Sequence, residues 1–178
     1  VSVAPGETGS VLALGSNLGD RAEQIATAIA EIADTDGIRL TAASKLVEST
    51  AVKLTGTDDR APRYLNAVVT IATTLDAAAL LHAVNAIEAA HGRTRDERWG
   101  DRTLDIDIIT FGDSTSDDET LTLPHPRAAE RAFVLAPWLE LEPDAELPGA
   151  GRIDVLLAAL PAADAVAVWP ASSGWATR

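Results

Sequence analysis

The sequence predicts an α+β sandwich of the ferredoxin-like kind, with a single antiparallel or mixed sheet and helices packed on one face. Two observations point there. Hydrophobic periodicity switches between 2 and 3.6 in the order strand–helix–strand and again strand–helix–strand. The 178 residues suffice for one full core, and no internal repeat divides them. Residues 1–10, rich in Gly, Pro and Ser, read as a flexible N-terminal segment, and residues 11–178 as one domain.

Residues 11–14 form a short apolar run that stops at Gly15, as expected of a buried first strand. Residues 15–19 follow as a turn; they lack the lysine of a P-loop and the spacing of a dinucleotide fingerprint. Ala22, Ile25, Ile29 and Ile32 recur at helical spacing, and Gly37 closes that helix. Residues 38–47 read as a second strand. Residues 48–63 are polar and suit a mobile loop of the lid or binding type. From Tyr64 to Thr73 the pattern alternates, with Leu65, Ala67, Val69 and Ile71 on one face and Tyr64, Asn66, Val68 and Thr70 on the other. Asp76 suits the N-cap of a helix through His91, with Leu80, Val84 and Ile87 inward and Gly92 as terminator. Glu88 falls in its last turn, where the helix dipole disfavours an anion. Residues 112–120 form an acidic loop, 121–123 a short strand, and 133–141 an apolar stretch of core or wall. Residues 152–160 read as a last helix, and 165–169 as a final apolar stretch.

Composition removes several classes of function. A net charge of −13 and a pI near 4.5 repel nucleic acid and anionic membrane. The absence of cysteine excludes disulfides and a thiol nucleophile. No apolar run approaches the ~20 residues of a membrane span, and no signal peptide is visible. A cytoplasmic monomer without nucleic-acid or membrane partners is the expectation.

The chemistry concentrates between Arg93 and Ile109. Arg93, Arg95, Arg98 and Arg102 precede a strand in which Leu104, Ile106 and Ile108 alternate with Asp105 and Asp107. Residues two apart on a strand share a face about 6.6 Å apart at Cα, so both carboxylates can reach a common pair of hard cations. An ordinary half-buried strand beside an arginine surface patch shows the same alternation. Against that reading, Asp is a poor strand former, and guanidinium groups match phosphate oxygens bidentately. Arginines beside two metal-binding carboxylates suit phosphoryl transfer. Pro124 and Pro126 hold His125 outside any apolar periodicity, so it is displayed, either as an inert loop histidine or beside Arg127 and Arg131 as part of a site.

Together the blocks at residues 13–20, 64–69, 98–109 and 123–126, with Phe133 downstream, resemble the 6-hydroxymethyl-7,8-dihydropterin pyrophosphokinase family of folate biosynthesis. The resemblance implies transfer of the terminal pyrophosphoryl unit of ATP to the pterin hydroxymethyl group, releasing AMP. It implies two Mg2+ ions on Asp105 and Asp107, with Arg93 and Arg102 stabilising charge during transfer. Arg95, Arg98, His125 and Arg131 would hold the triphosphate, Glu88 and Thr122 would lie at the nucleotide, and the Ile108 backbone at adenine. Pterin would stack between Trp99 and Phe133, with Asn66 reading its edge and Tyr64, Ser49, Thr50 and Val52 lining the pocket. The alternative is a non-catalytic nucleotide- or pterin-binding module of the same fold.

Overall fold

The computed structural model describes residues 2–50, 52–53, 56–57, 63–92, 103–161 and 166–169. In chain order the elements are β1 (Thr8–Ser16), α1 (Arg21–Ala33), β2 (Ile38–Ala43), β3 (Val47–Ser49), β4 (Val52–Lys53), β5 (Gly56–Thr57), β6 (Tyr64–Thr73) and α2 (Ala77–Ala90). There follow β7 (Asp105–Phe111), β8 (Ser116–Asp117), β9 (Thr122–Leu123), a 3-10 turn, α3 (Ala132–Leu141), β10 (Glu146–Leu147), β11 (Gly151–Arg152), α4 (Ile153–Ala159) and β12 (Ala167–Val168). The main sheet runs β12-β3-β6-β1-β7, with β2 also pairing β6, and every pairing is antiparallel. The α+β sandwich is therefore present.

The sheet is buried on both faces. Leu12, Leu14, Leu65, Val69, Ile71, Ile106 and Ile108 meet Ile25, Ile29 and Ile32 of α1 and Leu80, Val84 and Ile87 of α2. On the reverse face Val11, Ala13, Val68 and Ile109 meet Val134, Leu135 and Trp138 of α3 and Ile153 of α4. Each fully buried Leu or Ile contributes about 1.5–3 kcal/mol of transfer free energy. Helices on one face only, the arrangement expected from sequence, is thus corrected: α3 and α4 cover the second face. The sequence concealed α3 because its apolar residues surround the axis and Pro137 lies inside it, so no one-sided stripe is visible.

Several boundaries also differ. β1 begins at Thr8, inside the segment assigned to a flexible end, and Glu7 pairs with Arg39 across a 2.6 Å ion pair. The strand expected over 38–47 is broken at Ser44, whose N–H donates to the Val68 carbonyl and whose Oγ accepts from Val68 N–H at 3.0 Å. β2 and β3 then pair separately with β6. The stretch 48–63 contains the end of β3 and a β4–β5 hairpin rather than irregular chain alone. The expected cap at Asp76 forms, accepting from Ala79 N–H, and the structure adds a second at Asp20, which accepts from Glu23 N–H. Among the described residues no helix is long and apolar enough to cross a membrane.

Candidate active site

β1 lies between β6 and β7, and its register aligns the residues singled out above. Asp105 pairs with Gly15, Gly15 with Asn66, and Asn66 with Val47, forming one rung across four strands. Two positions along, on the same face, a rung joins Asp107, Ala13 and Val68. Paired residues of antiparallel strands project to the same face, so Asp105, Asp107, Asn66 and Tyr64 stand together on the α3 side. Ile106 and Ile108 are buried on the other side, as the alternation required. With strands about 4.8 Å apart, Asp105 and Asn66 are separated by about 10 Å at Cα.

Gly15 occupies the middle of that rung. Its φ lies outside the left-handed region, so backbone freedom is not what it supplies. A Cβ there would lie 3.2 Å from Asn66 Oδ1 and 3.8 Å from Tyr64 Cδ1, so the position is kept small by space. Sequence reading placed Gly15 in a turn; a glycine at a strand end as a sign of close approach was the available signal. Asn66 is buried, at 4% exposure. Its Nδ2 donates to Ser49 Oγ at 2.9 Å and, longer, to the Val47 carbonyl at 3.5 Å. Tyr64 pairs with Ser49, Thr50 follows β3, and Val52 pairs with Thr57 in the small hairpin.

At the other end of the rungs, Arg131 Nη1 donates to Asp107 Oδ2 at 2.9 Å and its Cζ lies 5.5 Å from the Phe133 ring centroid. His125 Nε2 is 3.6 Å from the same carboxylate oxygen. His125 Nδ1 accepts the Arg127 N–H at 3.1 Å, so in the neutral ring the proton sits on Nε2, facing Asp107. The backbone N–H of His125 donates to the Ile109 carbonyl, tying this loop to β7. Burial pushes the His125 pKa below the usual histidine range, and the Arg131 charge adds to this. Asp107 and Asp105 oppose it without reversing it. The structure therefore directs the histidine ring toward Asp107.

Glu88, Ile108 and Thr122 lie around β7 differently. Glu88 is 2% exposed and its Oε1 accepts the Ile106 N–H at 2.7 Å. That N–H points away from β1, toward the outer edge of β7, and Ile108 lies two residues on, where the pairing with β1 shifts register. Thr122 lies in the β8–β9 hairpin and donates to the Asp118 carbonyl at 3.0 Å. Arg93, Arg95, Arg98, Trp99 and Arg102 lie outside the described residues. No group of three or more His, Cys, Asp or Glu side chains suited to a metal occurs among the described residues. The arrangement fits magnesium, which takes one or two carboxylates and completes its shell with water and phosphate.

Residues 11–143 match the family model for 7,8-dihydro-6-hydroxymethylpterin-pyrophosphokinase, abbreviated HPPK. The chain belongs to the HPPK family. A 2-amino-4-hydroxy-6-hydroxymethyldihydropteridine pyrophosphokinase of Synechocystis sp. is 38% identical over 93% of this chain and 82% of its own length. A protein of the same name from Pseudomonas aeruginosa is 43% identical over 84% of this chain and 90% of its own. A crystal structure of a Plasmodium falciparum HPPK-DHPS variant superposes with a TM-score of 0.67 at 15% identity over 85% of this chain, which supports the fold. This chain spans 45% of that longer protein. Membership in the HPPK family agrees with the blocks that carried the resemblance, since all of them lie within 11–143.

Proposed function

We propose that this chain transfers the terminal pyrophosphoryl unit of ATP to the hydroxymethyl group of 6-hydroxymethyl-7,8-dihydropterin and releases AMP. The observation that carries the reading is the shared face of Asp105, Asp107 and Asn66, which puts two carboxylates and a buried amide about two strand spacings apart. The hydroxyl oxygen bonds to the β-phosphorus, the bond from that phosphorus to the oxygen bridging to the α-phosphate breaks, and AMP carries that oxygen away. The hydroxyl proton is released, and no side chain is assigned as its base. Asp105 and Asp107 would hold magnesium, which would supply positive charge where the transferring and leaving oxygens gain negative charge.

The remaining roles belong to the chain itself. His125 and Arg131, already gathered at Asp107, face the triphosphate, and Arg93, Arg95, Arg98 and Arg102 add to that charge. Glu88 and Thr122 serve the nucleotide side, and the backbone of Ile108 serves adenine. Asn66 reads the pterin edge, with Tyr64, Ser49, Thr50 and Val52 around it and Trp99 and Phe133 stacking. A monomeric, cytoplasmic enzyme of one domain completes the proposal, and the net charge of −13 supports the absence of a nucleic-acid partner.

The test is product analysis of purified protein with ATP, magnesium and the pterin. AMP and a pyrophosphorylated pterin are expected, and neither with magnesium chelated. ADP as the product would mean a different kinase. Binding of both ligands without AMP would favour the non-catalytic module.

A further inference from the structure

β12 lies beyond the family-matched stretch yet completes the sheet on the Asn66 side. Ala167 pairs with Glu48 and Val168 with Val47, and the Trp169 N–H donates to the Leu46 carbonyl at 2.9 Å. β3, held between β12 and β6, is three residues long. A strand that short is poorly held by one neighbour. Two side chains reinforce it. Trp169 packs against the core that contains Leu46 and Leu65. Arg21, the first residue of α1, lies with its Cζ 5.1 Å from the Trp169 ring centroid.

The same guanidinium donates to Glu48 Oε1 at 3.1 Å and to the Arg63 carbonyl at 2.6 Å. Arg63 Nη1 in turn reaches Glu48 Oε2 at 3.4 Å. Arg21 thus joins three segments: the C-terminal strand, β3, and the residue just before Tyr64. Its side chain is 22% exposed and that of Glu48 18%, which spares the pair much of the screening felt at an open surface. All three segments flank the Ser49–Asn66 hydrogen bond.

We propose that Arg21 and Trp169 form a clasp that positions β3 and, through Ser49, the Asn66 amide for the pterin. Neither residue touches substrate; both are positioning residues. The inference rests on the pyrophosphokinase reading and extends the support of the pterin pocket to the C-terminal strand.

Steady-state kinetics of Trp169→Ala, Arg21→Gln and Trp169→Phe, with each substrate varied in turn, test it. The pterin KM should rise about tenfold in the first two, the scale of one lost cation–π contact or charge-assisted hydrogen bond. The KM for ATP and kcat should stay within about twofold, because the loss falls on binding of one substrate. Trp169→Phe keeps a ring under Arg21 and should recover most of the pterin affinity. Hydrogen exchange should quicken in β3 and leave β7 unchanged. An unaltered pterin KM in both Trp169→Ala and Arg21→Gln overturns the clasp while leaving the pyrophosphokinase reading intact. So does a parallel loss of kcat and of both KM values, which marks general destabilisation. A wild-type chain that makes no AMP sinks both.

Discussion

Arg131 Nη1 donates to Asp107 Oδ2 at 2.9 Å, and His125 Nε2 stands 3.6 Å from the same oxygen. The carboxylate proposed for magnesium is thus held by the Arg131 guanidinium, with the His125 ring beside it, before any nucleotide arrives. Asp107→Ala should lower AMP production by at least about 10²–10³-fold, the scale of one deleted transition-state charge contact. The fold should survive, because the Asp107 side chain is 32% exposed and belongs to neither core cluster. Near-normal rates with an unchanged melting temperature would refute the metal assignment.

Gly15→Ala should weaken pterin binding selectively. The added Cβ would sit 3.2 Å from Asn66 Oδ1, so the amide must move a few tenths of an ångström while Ser49 holds its other end. We expect the pterin Kd to rise about tenfold, comparable to one disturbed buried hydrogen bond, with affinity for a non-hydrolysable ATP analogue unchanged. Calorimetry with each ligand separates the two, and equal losses for both would contradict this account.

Glu88→Ala should destabilise the fold by about 1–3 kcal/mol, because it leaves the Ile106 N–H without its buried acceptor. Glu88→Gln retains an acceptor and should cost less. Urea unfolding of the three proteins checks the order. An alanine variant as stable as wild type would show that water takes over at the outer edge of β7.

In the ligand-free protein His125 should titrate below 6.5, the ordinary value for histidine. Its folded-state pKa is lowered, so the unfolded chain binds the proton more readily. The contribution to stability is complete above pH 6.5 and declines as pH falls through 6.5 toward the folded value. Two-dimensional NMR of the imidazole gives the midpoint, and unfolding of His125→Gln should lack this part of the pH dependence. A midpoint at or above 6.5 would overturn the assignment to burial.

The sequence made the shared faces of the candidate site more legible than the layers around it. Alternation alone put Asp105 with Asp107 and Tyr64 with Asn66, because a strand has one side-chain period whatever its neighbours. It could not say that Asp105 and Asn66 share a rung, since register is set by pairing with β1, which is distant in sequence from both. The α1 and α2 faces were readable because each has one wet side. α3 was not: its apolar residues run around the axis, so its pattern carries no direction, and the second covered face went unseen with it. The break at Ser44 was equally hidden, because it depends on Val68 across the sheet.

Consider finally what it means that β1 pairs directly with both β6 and β7. The proposed anchorage points of the two reactants, Asp105 and Asn66, are then spaced by the sheet's own hydrogen-bond lattice. Loop insertions and tail changes can alter how tightly either molecule is gripped, but the span between donor and acceptor is quantised. Only a slip of β1 by two residues, which would return every side chain to its face, could reset it.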